Sequence, residues 1–168
     1  MDKLDATDAH LLRLLQADGR AKRTALAEAV GLSLPSVSDR LRKLEAKGVL
    51  TGFTATVDAK RVGMDVTAFV RIVSGGSDRY DEFVAAVTAL PEVLELHSIT
   101  GDGSHLLKVR VRTTTALEAL LARVQQLPGV RGTRTSIVLS TMKETQTVSV
   151  QPGPLTPVED TGKGGGDA

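Results

Sequence analysis

Ser36, Arg40, Lys43 and Lys47 recur at i, i+4, i+7 and i+11 within GLSLPSVSDRLRKLEAKG. On a helix these positions form one face, flanked by Ser38 and Arg42, while the leucines take the other side. Such a face suits a polyanion: arginine forks onto guanine or phosphate, and serine hydroxyls approach a groove closely. Between residues 19 and 48 the chain holds seven Lys/Arg against three Asp/Glu, an excess of four, although the formal net charge is only +1. A duplex partner should therefore meet this segment. The candidate DNA contacts are Lys22, Arg23 and Thr24 just upstream, then Ser33, Pro35, Ser36, Ser38, Asp39, Arg40, Arg42, Lys43 and Lys47.

A second constellation is Thr100-Gly101-Asp102-Gly103-Ser104-His105. Its glycines permit close backbone approach, Asp102 suits an amino group, and backbone N–H groups suit a carboxylate. The same Asp-Gly pattern also serves a plain hairpin turn. His97, His105 and Asp102 are a poor metal set, since the chain has three histidines in all, with His10 far away, and no cysteine. No metal or cofactor is expected. No nucleophile elbow or phosphate loop is present either, and His105 with Asp102 lacks a third partner, so an enzyme is not expected.

The elements that would position these groups are readable. Residues 4–17 place Leu4, Leu11, Leu12, Leu14 and Leu15 on one helical face, and residues 24–30 form a second short helix ended by Gly31. Ser33 caps a third helix with Pro35 in its first turn, Leu34, Val37, Leu41 and Leu44 inward, and Gly48 closing it. Three short helices with a glycine turn before the last form a helix-turn-helix, whose last helix enters the major groove. Residues 51–57 favour a strand and 58–63 a polar connector. Beyond it, strands are expected at 66–73, 93–100, 105–112 and 130–142, with helices at 80–90 and 116–127. This β-α-β-β-α-β order is that of a ferredoxin-like split βαβ sheet with two helices on one face.

The reading is an α+β chain. Residues 1–50 form the DNA-binding domain, 51–63 a hinge strand and linker, 64–144 the sheet domain, and 145–168 a disordered tail. The tail holds three of the six prolines and five of the sixteen glycines. A sheet covered on one face would leave Phe69, Leu107 and Val109 to water unless a second copy covers them, so a homodimer is expected. Two recognition helices would then meet a roughly palindromic operator. No stretch is long and apolar enough to span a membrane and no signal pattern starts the chain, so a cytoplasmic location is expected.

In order along residues 4–145, Leu4-Asp5, Asp18-Gly19-Arg20, Val30-Gly31-Leu32-Ser33, Arg40-Leu41-Arg42-Lys43-Leu44-Glu45, Gly48-Val49-Leu50 and Gly52-Phe53-Thr54-Ala55 resemble the Lrp/AsnC, or feast/famine, regulators. So do Thr100-Gly101-Asp102-Gly103, Leu106 to Val111, Leu127-Pro128-Gly129-Val130 and Thr133-Arg134-Thr135. The resemblance implies a winged helix-turn-helix, a hinge strand and a ligand-sensing domain of the type called RAM. It also implies dimers that assemble to octamers, and an amino-acid effector held between dimers near the loop Gly101 to Ser104, which makes Thr100 to His105 the candidate effector contacts. Where many members carry an acidic residue two places after Asp102, this chain has Ser104, which leaves the effector's identity open. A nucleoid-type architectural DNA binder without effector is the alternative.

Overall fold

The computed structural model of the chain describes residues 3–75, 79–101 and 103–156. Two compact units emerge: one holds residues up to Ala55 together with those from Thr145 on, the other Thr56–Glu144.

The first unit contains β1 (Lys3–Leu4), α1 (Ala6–Ala17), α2 (Arg23–Val30) and α3 (Leu34–Ala46). Asp5 caps α1 by accepting from the Asp8 N–H at 2.7 Å. Gly31 ends α2 at φ +66°, in the left-handed region where glycine carries no Cβ penalty. Ser33 caps α3 by accepting the Ser36 N–H, and Pro35 sits harmlessly in the first turn. The core joins Leu11, Leu12 and Leu15 of α1, Leu26 and Ala27 of α2, and Val37, Leu41 and Leu44 of α3. Leu34, expected inward, is exposed and takes no part in this core.

The tail reading needs correction for residues 145–156. A last strand, β6 (Gly153–Pro154), pairs antiparallel with β1, and Val150 and Leu155 pack on the helical core. Averaged composition hides two apolar residues, Val150 and Leu155, that have a helical core to lie against. Residues 157–168 fall outside the described residues. Residues 51–57, expected as a strand, join no ladder among the described residues, and Phe53 and Val57 are exposed. β-propensity favours an extended backbone, but a strand also needs a neighbour.

The second unit is built of β2 (Val66–Ser74), α4 (Tyr80–Thr88), β3 (Val93–Ser98), β4 (His105–Val111), α5 (Thr114–Gln125) and β5 (Val130–Ile137). Its sheet runs β3-β4-β2-β5, every pairing antiparallel, the split βαβ order expected. Strand alternation sends Ala68, Val70 and Ile72 of β2 and Leu107, Val109 and Val111 of β4 to the helices. There they meet Phe83 and Val87 of α4 and Leu117, Leu120 and Val124 of α5. Leu107 and Val109 are thus buried beneath the helices and do not lie on the open face, as had been expected. That face carries Phe69 and Val73, both partly exposed, with Lys108 and Arg110. Lys108 lies between Glu95, at 3.1 Å, and Glu144, and Arg110 also reaches Glu144. Among the described residues no helix is long and apolar enough to cross a membrane.

Candidate DNA face and effector loop

Helix α3 turns Val37, Leu41 and Leu44 into the core, which forces its polar residues outward. Arg42 and Lys43 are 73% and 62% exposed and converge on Asp39, at 2.5 Å and 2.7 Å. Hydrogen bonds from Lys43 and Arg42 hold the Asp39 carboxyl below the usual carboxylate range. Asp39 therefore parks the two cations in solvent, where exchange of one anion for a phosphate oxygen is inexpensive. Ser36 is exposed, its hydroxyl 2.8 Å from that of Ser33. Lys22, Arg23, Thr24, Pro35 and Lys47 are also exposed. Arg23 donates to the Ser38 hydroxyl at 3.3 Å, tying the start of α2 to α3.

Arg40 departs from the expectation. Its guanidinium is 32% exposed and donates from one nitrogen to Asp5 at 2.6 Å and Asp8 at 2.7 Å. Hydrogen bonds to Asp8 and Asp5 raise its pKa further, so the charge is permanent. Arg40 fastens α3 to the capped start of α1 and is less open to solvent than Arg42 and Lys43. Helical spacing places Arg40 beside Lys43; only the fold reveals that this flank turns toward α1.

The second constellation forms the β3–β4 turn. The Ile99 N–H donates to the Ser104 carbonyl at 3.0 Å, and the Ser104 N–H to Ile72 at 2.8 Å. Ser104 Oγ receives the Ser74 hydroxyl at 2.7 Å. Gly101 and Gly103 take φ of +93° and +104°, and a Cβ on Gly103 would stand 3.1 Å from the Ile72 carbonyl. Thr100 and Gly101 are exposed; Asp102 lies outside the described residues.

His105 needs correction as an effector contact. It is 5% exposed, in phase with Leu107, Val109 and Val111, and packs against Phe83 and Tyr80 with ring centroids 4.9 Å and 5.6 Å away. Neither ring nitrogen has a hydrogen-bond partner. Burial pushes its pKa down, so the ring is held neutral. Among the described residues no three His, Asp or Glu side chains gather as a metal-holding group.

A three-helix unit with an exposed cationic last helix, joined to a split βαβ sheet unit, defines a DNA-binding regulator that carries its own sensing domain. Residues 4–51 match the family pattern described as winged helix-turn-helix DNA-binding, and 66–148 that described as Lrp/AsnC ligand binding domain. The HTH-type transcriptional regulator LrpA of Mycobacterium tuberculosis is 39% identical over 83% of this chain and 93% of its own. The leucine-responsive regulatory protein of Escherichia coli is 35% identical over 88% and 92%. A transcriptional regulator of Neisseria meningitidis, solved in complex with L-methionine, superposes with a TM-score of 0.82 at 31% identity, covering 86% of this chain and 96% of that one. The chain belongs to the Lrp/AsnC family, whose members are transcriptional regulators and not enzymes.

Proposed function

We propose that this regulator binds a roughly palindromic operator through α3 and answers to a free amino acid at its β3–β4 turn. One observation carries the DNA reading: Ser36, Arg42 and Lys43 are exposed on α3 while Val37, Leu41 and Leu44 of the same helix are buried. Lys22 and Arg23 extend the cationic surface to the start of α2, where flanking phosphates pass. Affinity from one small module is modest, so two copies bind together, paired across the open sheet face around Phe69. Dimers then gather into octamers in the cytoplasm. The exposure of Thr100 and Gly101 and the relative solved with L-methionine support the amino-acid reading.

In vitro selection from a randomised duplex library tests the reading. Enrichment of a symmetric site, with affinity altered by one or a few of the twenty amino acids, is expected. Equal affinity for every duplex, with or without amino acids, would leave an architectural DNA binder in its place. Asp102→Ala should keep operator binding and blunt the effector response; an unchanged response removes Asp102 from the sensing turn. Light scattering on Phe69→Glu should show loss of the dimer, and an unaltered mass would place the interface elsewhere.

A further inference from the structure

No β-hairpin follows α3 among the described residues; the two-stranded element in this unit is made from near the two ends of the described chain. Leu4 and Gly153 face each other in register, as do Lys3 and Pro154. Leu4 is buried, so strand alternation directs Lys3 to the opposite side, into solvent. Asp5, one residue on, is gripped by Arg40 of α3 at 2.6 Å. β1 is therefore tied to the recognition helix at one end and anchored in the core beside it. A recess of about 270 Å³ opens here, and Lys3 lines it with Lys43, Lys47 and Leu155, the ion-paired carboxylates Asp8 and Asp39 lying in the same wall.

The partner strand is held just as specifically. Gln16 of α1 grips the Val148 backbone from both sides, accepting its N–H at 2.8 Å and donating to its carbonyl at 3.1 Å. Arg13 donates to the Val150 carbonyl at 3.1 Å, and Val150 and Leu155 pack on the core. A side-chain amide that satisfies both backbone groups of one residue fixes the chain that leads into β6 against α1. The result is a ribbon that carries Lys3 at the same recess as Lys43 and Lys47.

We propose that the β1–β6 ribbon is a phosphate-contacting part of the DNA face, in which Lys3 supplies the ammonium and residues 148–155 hold it in place. The proposal rests on the DNA reading above and extends it to a surface that the helix-turn-helix pattern does not specify. Lys3 is a point charge on a flexible stem at the rim of the recess, suited to a backbone phosphate and not to a base edge.

The test uses the full chain and a random-sequence duplex, because a phosphate contact carries no sequence preference. Lys3→Gln should bind about threefold more weakly at moderate salt, with a log–log salt slope shallower by about 0.9, one phosphate's share. Lys3→Arg should restore both. Leu155→Ser should reproduce the loss, and Lys3→Gln should add little on top of it, with circular dichroism verifying that the helices persist. If Lys3→Gln matches the wild type in affinity and slope while Arg42→Ala is weakened, the ribbon assignment is overturned and the α3 face stands. If both variants match the wild type, the ribbon assignment and the DNA reading fall together.

Discussion

The Arg40 guanidinium lies 2.7 Å from the Asp8 carboxylate, joining the middle of α3 to the first turn of α1. Asp8 is also well placed for the positive end of the α1 dipole, so one carboxylate serves helix start and helix packing together. The clasp, with its second arm to Asp5, holds α3 against the start of α1.

Arg40→Ala should therefore destabilise the N-terminal unit by about 1 kcal/mol, the partial exposure of the pair keeping the figure low. Burial works against the Asp5 carboxylate, yet the Asp8 N–H and the Arg40 guanidinium outweigh it and hold its pKa below the ordinary value. A depressed carboxylate contributes stability that is present above its unfolded pKa and lost as pH falls through the folded one, so the effect should fade below about pH 4. Thermal melts of wild type and variant across acid pH measure it. A variant as stable as wild type at neutral pH would show the clasp to be idle.

Gly103→Ala should disturb the β3–β4 turn. The residue combines φ of +104° with only 3.1 Å between a would-be Cβ and the Ile72 carbonyl, the group that accepts the Ser104 N–H. Strain of about 1–3 kcal/mol is expected at such a position. Gly101→Ala, where a Cβ meets open space, should carry the cost of its own positive φ and no clash. Comparing the two melts, and the effector response of each, separates crowding from backbone strain. Equal stability of Gly103→Ala and wild type would rule out the tight approach.

The helix-turn-helix was legible because its marks are local: the Ser33 cap, Pro35 in the first turn, the spacing of Val37, Leu41 and Leu44, and glycines at 31 and 48. The β-α-β-β-α-β order was legible for the same reason. Arg40 was not, since Asp5 and Asp8 lie 35 and 32 residues upstream and helical periodicity says nothing of a neighbouring helix. The inward phase of His105 was available in its alternation with Leu107, Val109 and Val111, but the adjacent glycine turn drew it toward the loop. That alternation also placed Leu107 and Val109 opposite Phe69. The tail was misread because twelve residues with a place to pack were averaged with a glycine-rich remainder.

Gln16→Ala should loosen residues 148–155 without altering any charge on the DNA face. Two backbone groups of Val148 lose their partner, a change of about 1 kcal/mol at an exposed site. Hydrogen exchange should show faster exchange of the Val148 amide, with α2 and the buried face of α3 unaffected. Unchanged protection at Val148 would mean that the apolar contacts of Val150 and Leu155 alone hold the segment.

His105→Leu should stabilise the sheet unit and flatten its response to pH. The imidazole sits in the core against Tyr80 and Phe83, with both nitrogens unpartnered, so water lost on folding is not replaced by any hydrogen bond. Burial lowers its folded pKa below the unfolded value of about 6.5. Between those two values the unfolded chain binds a proton that the folded chain refuses, so wild-type stability should fall as pH drops below about 6.5 and stay level above it. Leucine removes both the buried polar atoms and the titration, with a gain of about 1 kcal/mol at neutral pH that widens toward pH 5. Denaturant unfolding at a series of pH values measures the gain. A response that stays steep between pH 5 and 7 in the variant would place its origin at another group, and a less stable variant would mean that the ring's shape, packed between two aromatic side chains, outweighs its polarity.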